Sequence, residues 1–283
     1  MKKYFFLFLF LTVSFSSFSQ EKKAFVLFDK KGKITTYKRL LKASAKADIV
    51  LFGEYHNNPI AHWLQLELIK DLEPKRSLIL GAEMFERDNQ KELNSYLQGT
   101  INQKALDSLA RLWNNYKTDY KPLVDFALNK KIPFIATNIP RKYASLVYKK
   151  GLQVLDTLPI KEKQWIVTLP MKYDGTLSQY QKMRKMMAHM GENLPIAQAI
   201  KDATMAETIL RDRREGSLFV HFNGSYHSDF YQGIYWYLQQ ENPHLQILTI
   251  TTLTQSDLKK LNKEAYRQAD FILVVDEDMT TTF

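Results

Sequence analysis

An α/β fold, a parallel-rich sheet flanked by helices with a small all-helical insertion domain, follows from three observations. Short apolar runs alternate with amphipathic helical segments along most of the chain. This is the pattern of a parallel sheet covered on both faces. Three of the runs end in polar turns, Gly53-Glu54-Tyr55-His56, Gly81-Ala82-Glu83 and Asn223-Gly224-Ser225-Tyr226-His227. Between about Gly151 and Leu194 the strand pattern stops and only turn and helix signals remain.

The elements read in order as follows. Ala24–Phe28 is a first apolar run, and Thr36–Ala45 is helical with Tyr37, Leu40, Leu41 and Ala45 on one face. Asp48–Phe52 is a short buried strand. Pro59, at a first-turn position, opens a helix to about Leu72, and Pro74 blocks its continuation. Ser77–Met84 is the next strand, followed by helices near Asn89–Leu97, Gln103–Asn114 and Tyr120–Asn129. Pro133–Thr137 is a strand ending at Asn138. The segment 151–194 is the insertion, with turn signals at Asp174-Gly175 and a Met-rich helix over Ser178–Met190. The sheet resumes after a helix at Pro195–Arg213, with strands at Ser217–Phe222, Leu245–Ile250 and Phe271–Val275 and a helix at Asp229–Gln240. The α/β domain is thus residues 20–150 and 195–283.

Composition bounds the function. Lys2-Lys3, the apolar run Tyr4–Val13 and Ser17-Phe18-Ser19 read as a signal peptide spanning residues 1–19. That apolar run is short of the ~20 residues a membrane-spanning helix needs. The chain has no cysteine, so it has no disulfide, no thiolate nucleophile and no lipid on an N-terminal cysteine. An exported protein, periplasmic or envelope-associated, is expected. The formal charge is +10, with basic clusters at Lys22-Lys23, Lys30–Lys33, Lys182–Lys185 and Arg211–Arg214. These read as solvated helix faces or as attraction to an anionic ligand or membrane surface. No nucleic-acid module, Walker A loop, dinucleotide fingerprint or Gly-x-Ser-x-Gly elbow is present.

Ligands of open α/β sheets bind outside the carboxyl ends of the strands. Glu54, His56, Glu83 and His227 stand at three such ends and are expected to share one polar site. Two carboxylates and two imidazoles suit a divalent metal with an open water position, or a general acid/base pair. His221 lies inside an apolar strand and reads as a satisfied core histidine. His62 has a helix-face or a site role, and Asn138 orients a ligand or forms an Asx turn. In the insertion, Tyr173, Tyr180, His189, Lys182 and Lys185 accompany several methionines. They form either an ordinary amphipathic helix or an apolar surface edged by cations, suited to a flat apolar ligand with anionic tails.

Gly53-Glu54-Tyr55-His56-Asn57-Asn58-Pro59, Glu83-Met84-Phe85, Asn138-Ile139-Pro140, Ala197-Gln198 with Asp202-Ala203-Thr204-Met205-Ala206, and Gly224-Ser225-Tyr226-His227 occur in this order. In them the chain resembles the ChaN-type haem-binding proteins over nearly all of its length after the leader. That family is similar in fold to the Tiki, TraB and erythromycin-esterase proteins, some of which are hydrolases. The resemblance implies haem binding in iron uptake, with two haems stacked face to face between two monomers. It implies an iron-ligating tyrosine in the insertion, Tyr180 first and Tyr173 second. It also implies propionate contacts from His189, Lys182 and Lys185 of the facing monomer, and an outer-membrane haem receptor as a partner. Family members are often lipoproteins, and the missing lipobox cysteine is a departure from that pattern. The alternative is a metal-dependent hydrolase built on Glu54, His56, Glu83 and His227.

Overall fold

The structure is a computed structural model that describes residues 22–187, 189 and 191–283. The expected signal peptide lies outside those residues.

Seven strands form one sheet: β1 (Phe25–Asp29), β2 (Ile49–Glu54), β3 (Leu78–Glu86), β4 (Phe134–Asn138), β5 (Leu218–Gly224), β6 (Ile247–Gln255) and β7 (Phe271–Asp276). Their order is β1-β7-β6-β2-β5-β3-β4. All neighbours are parallel except β1, which pairs antiparallel with β7 at one edge. The central strands β2 and β5 are buried at every residue, which is why they read as unbroken apolar runs.

The helices cover both faces. They are α1 (Tyr37–Ser44), α2 (Pro59–Leu72), α3 (Gln90–Leu97), α4 (Gln103–Leu109), α5 (Lys121–Lys130), α6 (Arg141–Lys150), the single turn α7 (Ile160–Lys163), α8 (Ser178–Met186), α9 (Leu194–Asp212) and α10 (Ile234–Glu241). The period-2 alternation of each strand divides the core. Val50, Phe52, Leu80, Ala82, Val220 and Phe222 face the layer containing α2 and α5. Ile49, Leu51, Ile79 and Phe219 face the layer containing α6, α9 and α10. Segment 151–194 contains no strand among its described residues, and Leu155, Ile166 and Val167 pack into this second layer.

α6 had no counterpart in the sequence reading, and three helix boundaries differ from it by several residues. The helix beginning at Gln103 stops at Leu109, because Ala110 is extended. The segment from Asp229 breaks at Gly233, whose φ of 56° favours glycine, so α10 begins only at Ile234. α8 ends at Met186, with Met187 already non-helical; Met190, expected in that helix, lies outside the described residues.

Candidate functional site

β2, β5 and β3 are consecutive in the sheet, so their carboxyl ends lie side by side. Glu54 pairs with Gly224 across β2 and β5, and Ala82 pairs with Phe222 across β3 and β5. Glu54 and Glu83 therefore flank Gly224. Strand parity then separates them. Glu54 shares the face of Val50 and Phe52, and Glu83 shares the face of Ile79. Each carboxylate heads its own buried network, and the two networks meet at the sheet edge.

The Glu54 network is built from α2 and the segment before α5. His56 Nδ1 donates to Glu54 Oε1 at 2.9 Å and Tyr120 donates its hydroxyl to the same oxygen at 2.7 Å. Gln65 Nε2 donates to Oε2 at 2.6 Å, and His62 Nδ1 lies 3.4 Å from that oxygen. Pro59 and the Asn58 N-cap, whose side chain accepts from the Ala61 N–H, start α2 where Gln65 and His62 point back at the strand end. Burial would raise the Glu54 carboxyl, but hydrogen bonds from His56 and His62 outweigh it and hold the group at about 2.

The Glu83 network lies on the α9 side. Its Oε2 accepts the Gly224 N–H at 2.7 Å, and His227 Nε2 stands 3.0 Å from Oε1. The other ring nitrogen of His227 donates to Asp202 Oδ1 at 2.5 Å, and Tyr180 donates to Asp202 Oδ2 at 2.7 Å. The Gln198 amide nitrogen is 3.0 Å from both His227 ring nitrogens, which places it over the ring face. Burial disfavours a charged imidazole, yet Glu83 and Asp202 overcome it and push His227 up to about 10. Burial likewise opposes the Glu83 charge, and the His227 imidazolium holds it well below the usual carboxylate range.

The two networks meet over Gly224. A Cβ there would stand 2.8 Å from His56 Nε2 and 3.5 Å from Glu83 Oε2. The His56 side chain is 35% exposed, and its ring packs edge-on against Trp113. Both nitrogens of His227 are occupied by carboxylates, and His62 Nε2 faces the His56 carbonyl at 3.1 Å. His56 Nε2 is thus the open basic nitrogen of this group, and it sits at the solvent side. Burial would lower His56, but its hydrogen bond to Glu54 and the nearby Glu83 charge raise it above its ordinary value.

The four strand-end residues therefore come together, but as a hydrogen-bonded network. The arrangement gives no support to the expected divalent metal on Glu54, His56, Glu83 and His227: both ring nitrogens of His227 face carboxylates, and each oxygen of both Glu54 and Glu83 lies beside a hydrogen-bond donor. Among the described residues no group of three or more His, Asp or Glu side chains is arranged to hold an ion.

His221 is a satisfied core histidine, hydrogen-bonded to Thr137 and Asn223, and burial drives it down to about 4. Asn138 donates to the Glu83 carbonyl. Asp202, Tyr120 and Gln65 were not read as site residues. Asp202 and Gln198 stand in one of the motifs that carry the resemblance, where they had no assigned role, and their i+4 spacing aligns them on α9.

In the insertion, Tyr180 is misplaced for an iron ligand, which corrects the first choice. It is 2% exposed, its hydroxyl is committed to Asp202, and burial followed by the Asp202 charge drives its pKa well up. Tyr173 stacks obliquely on it, with ring centroids 5.8 Å apart. The Tyr173 hydroxyl is buried without a hydrogen-bond partner among the described residues. Burial raises its pKa, and Arg184 pulls against that rise. Lys182, Lys185 and Met186 of α8, with Phe230, line a cleft of 550 Å³. Helical spacing puts these lysines opposite Tyr180 and Arg184 on α8. His189 is exposed.

The description "Haem-binding uptake, Tiki superfamily, ChaN" belongs to a family model that matches residues 40–238. The fold is similar to that of ChaN of Campylobacter jejuni, a structure of cofacial haem binding, at 19% identity and a TM-score of 0.67, covering 91% of this chain and 99% of that one. It is also similar to a succinoglycan biosynthesis protein, at 12% identity and a TM-score of 0.52, covering 84% and 90%. At these identities both likenesses concern the fold. A stretch of 126 residues is 29% identical to the chloroplastic protein RETICULATA-RELATED 5 of Arabidopsis thaliana, covering 42% of this chain and only 17% of that protein. With more than half of its residues matched by one family model, the chain belongs to the ChaN haem-binding uptake family of the Tiki superfamily.

Proposed function

We propose that this protein binds haem on the outer surface of the insertion, at a dimer interface, as part of haem or iron uptake in the cell envelope. The carrying observation is the α8 cleft, where Lys182 and Lys185 border Met186 and Phe230. An apolar floor edged by ammonium groups suits a flat ring system with two carboxylates. The Tyr173 hydroxyl, buried without a partner among the described residues, is the fitting iron ligand, since such a donor is costly to leave unpaired, and Arg184 opposes the rise that burial imposes on its pKa. Haem bound there would supply a Lewis-acidic iron, and Tyr173 would hold it. Because Lys182 and Lys185 lie opposite Tyr180 on α8, and Tyr173 stacks on the Tyr180 side, one copy offers Tyr173 and the facing copy offers Lys182, Lys185 and His189 to the propionates. The cofacial haem of the Campylobacter protein supports that arrangement. An outer-membrane haem receptor is the partner the uptake role calls for, and an N-terminus at Gln20 in the exported protein is the mark of the leader.

Absorption titration of the purified protein with haemin tests the reading. A saturable spectrum with the charge-transfer band of tyrosinate-bound ferric haem is expected, lost in Tyr173→Phe and kept in Tyr180→Phe. A spectrum identical to free haemin ends it.

The open His56 nitrogen favours a second reading, hydrolysis by acid/base chemistry. Glu54 orients His56, whose Nε2 would take a proton from water attacking an electrophilic centre beside Gly224. Turnover of generic ester substrates that disappears in both Glu54→Gln and His56→Gln supports this reading; unchanged turnover in either variant removes it.

A further inference from the structure

Nine Lys and Arg residues stand between Lys22 and Lys46 against one acid, Asp29. This net +8 is nearly all of the chain's +10, so the remainder of the protein is almost neutral. All nine are exposed. Among the described residues only Lys30 is ion-paired, with Asp270. The neighbouring acid is committed to the turn, because Asp29 accepts the Lys31 and Lys33 N–H groups.

The fold gathers these charges. β1 ends where β7 begins, since Asp29 pairs with Phe271, and α1 lies alongside. Lys30, Lys31, Lys33, Arg39 and Lys46 border a single open cleft of 650 Å³ at the amino ends of β6 and β7. Ala43, Ile247 and Leu248 also line it, beside Asp29, Asp270 and Gln246. Ile34, on the same turn as the lysines, is 61% exposed.

We infer that this face docks on an anionic phospholipid bilayer. The observations favour a surface over a small ligand. The cations are mostly lysines on flexible stems, and a delocalised field of point charges suits many headgroups better than one stereospecific anion. The neutral body and charged end make the molecule an electrical dipole, which orients it on a negative plane. Ile34 supplies the apolar side chain that enters the headgroup layer between the lysines. The face borders the amino ends of β6 and β7, whereas the Glu54–His227 networks stand at the carboxyl ends of β2, β3 and β5.

Co-sedimentation of the mature protein with vesicles of phosphatidylcholine, alone or mixed with phosphatidylglycerol, tests this. Binding is expected only with phosphatidylglycerol and is expected to weaken steeply with salt. The variant Lys31→Glu with Lys33→Glu and Arg39→Glu should bind more than about tenfold more weakly, since each basic residue near the surface contributes. A charge-matched control, Lys104→Glu with Lys149→Glu and Lys150→Glu, should bind nearly as wild type. Circular dichroism melting checks that both remain folded, and Ile34→Ser, which keeps every charge, should also reduce binding. Equal loss in both triple variants, equal binding to neutral vesicles, or displacement by millimolar inorganic phosphate at constant ionic strength overturns the inference.

Discussion

Gly224 and Gly53 sit at adjacent strand ends and fail differently when given a side chain. A Cβ on Gly224 would press on the His56 ring, which is partly exposed and has room to turn away. A Cβ on Gly53 would stand 2.9 Å from the Ser225 Cα and 3.0 Å from the Ile250 carbonyl, where nothing yields easily. Gly53→Ala should therefore cost about 1–3 kcal/mol in denaturant unfolding. Gly224→Ala should leave stability nearly unchanged while altering the His56 resonance in an NMR pH titration. His227 adds a pH dependence of known sign. Its folded pKa of about 10 lies above the ordinary 6.5, so its stabilisation is complete below pH 6.5 and is lost as pH rises toward 10. Glu54 acts on the acid side: held at about 2 against 4.5, it stabilises above pH 4.5 and fails as pH falls through 2. Thermal melts across pH should show both limbs, with the alkaline limb flattened in His227→Gln and the acid limb in Glu54→Gln. At this scale Glu54, His56, Glu83 and His227 were legible, because a polar group directly after an unbroken apolar strand has few structural reasons to be there. Asp202, Tyr120 and Gln65 were not, since Asp202 and Gln65 lie on helices, Tyr120 lies just before one, and each acts through a partner distant in sequence.

α8 carries opposite tasks on its two sides. One side ties Tyr180 to Asp202 and so to His227. The other presents Lys182, Lys185 and Met186 to the cleft. Lys182→Glu with Lys185→Glu should weaken haem binding by about tenfold or more, ~1.4 kcal/mol for lost charge-assisted contacts, in a fluorescence-quenching titration. Most strands were legible because burial on both faces makes them continuous apolar runs, but β6 runs to Gln255, five residues past the expected Ile250, because its second half is rich in threonine. The helix limits were less so. The end of α4 and the late start of α10 depend on the local backbone at Ala110 and Gly233, and amphipathic spacing continues through both. Tyr180 was misread for a related reason: spacing shows which residues share a helix face, and only packing shows that its face turns inward toward α9.

Strand order was beyond the sequence. Alternating elements predict a parallel sheet but do not dictate that β5 inserts between β2 and β3, the step that brings His227 between Glu83 and Asp202. The whole-molecule consequence of the proposed function is assembly. Two haem faces hidden against each other across a two-fold axis would couple ligand and dimer. Sedimentation velocity should show a monomer without haem and a dimer at saturation, and an unchanged coefficient removes the dimer. The central claim is that haem sits on the insertion, apart from the strand-end networks. Haemin titration of two double variants under one set of conditions tests it most directly. Lys182→Glu with Lys185→Glu should lose affinity, while Glu54→Gln with His227→Gln should stay within about a factor of ten of wild type, or ~1.4 kcal/mol. The opposite ranking, with the strand-end pair abolishing binding and the α8 pair leaving it intact, would contradict the account.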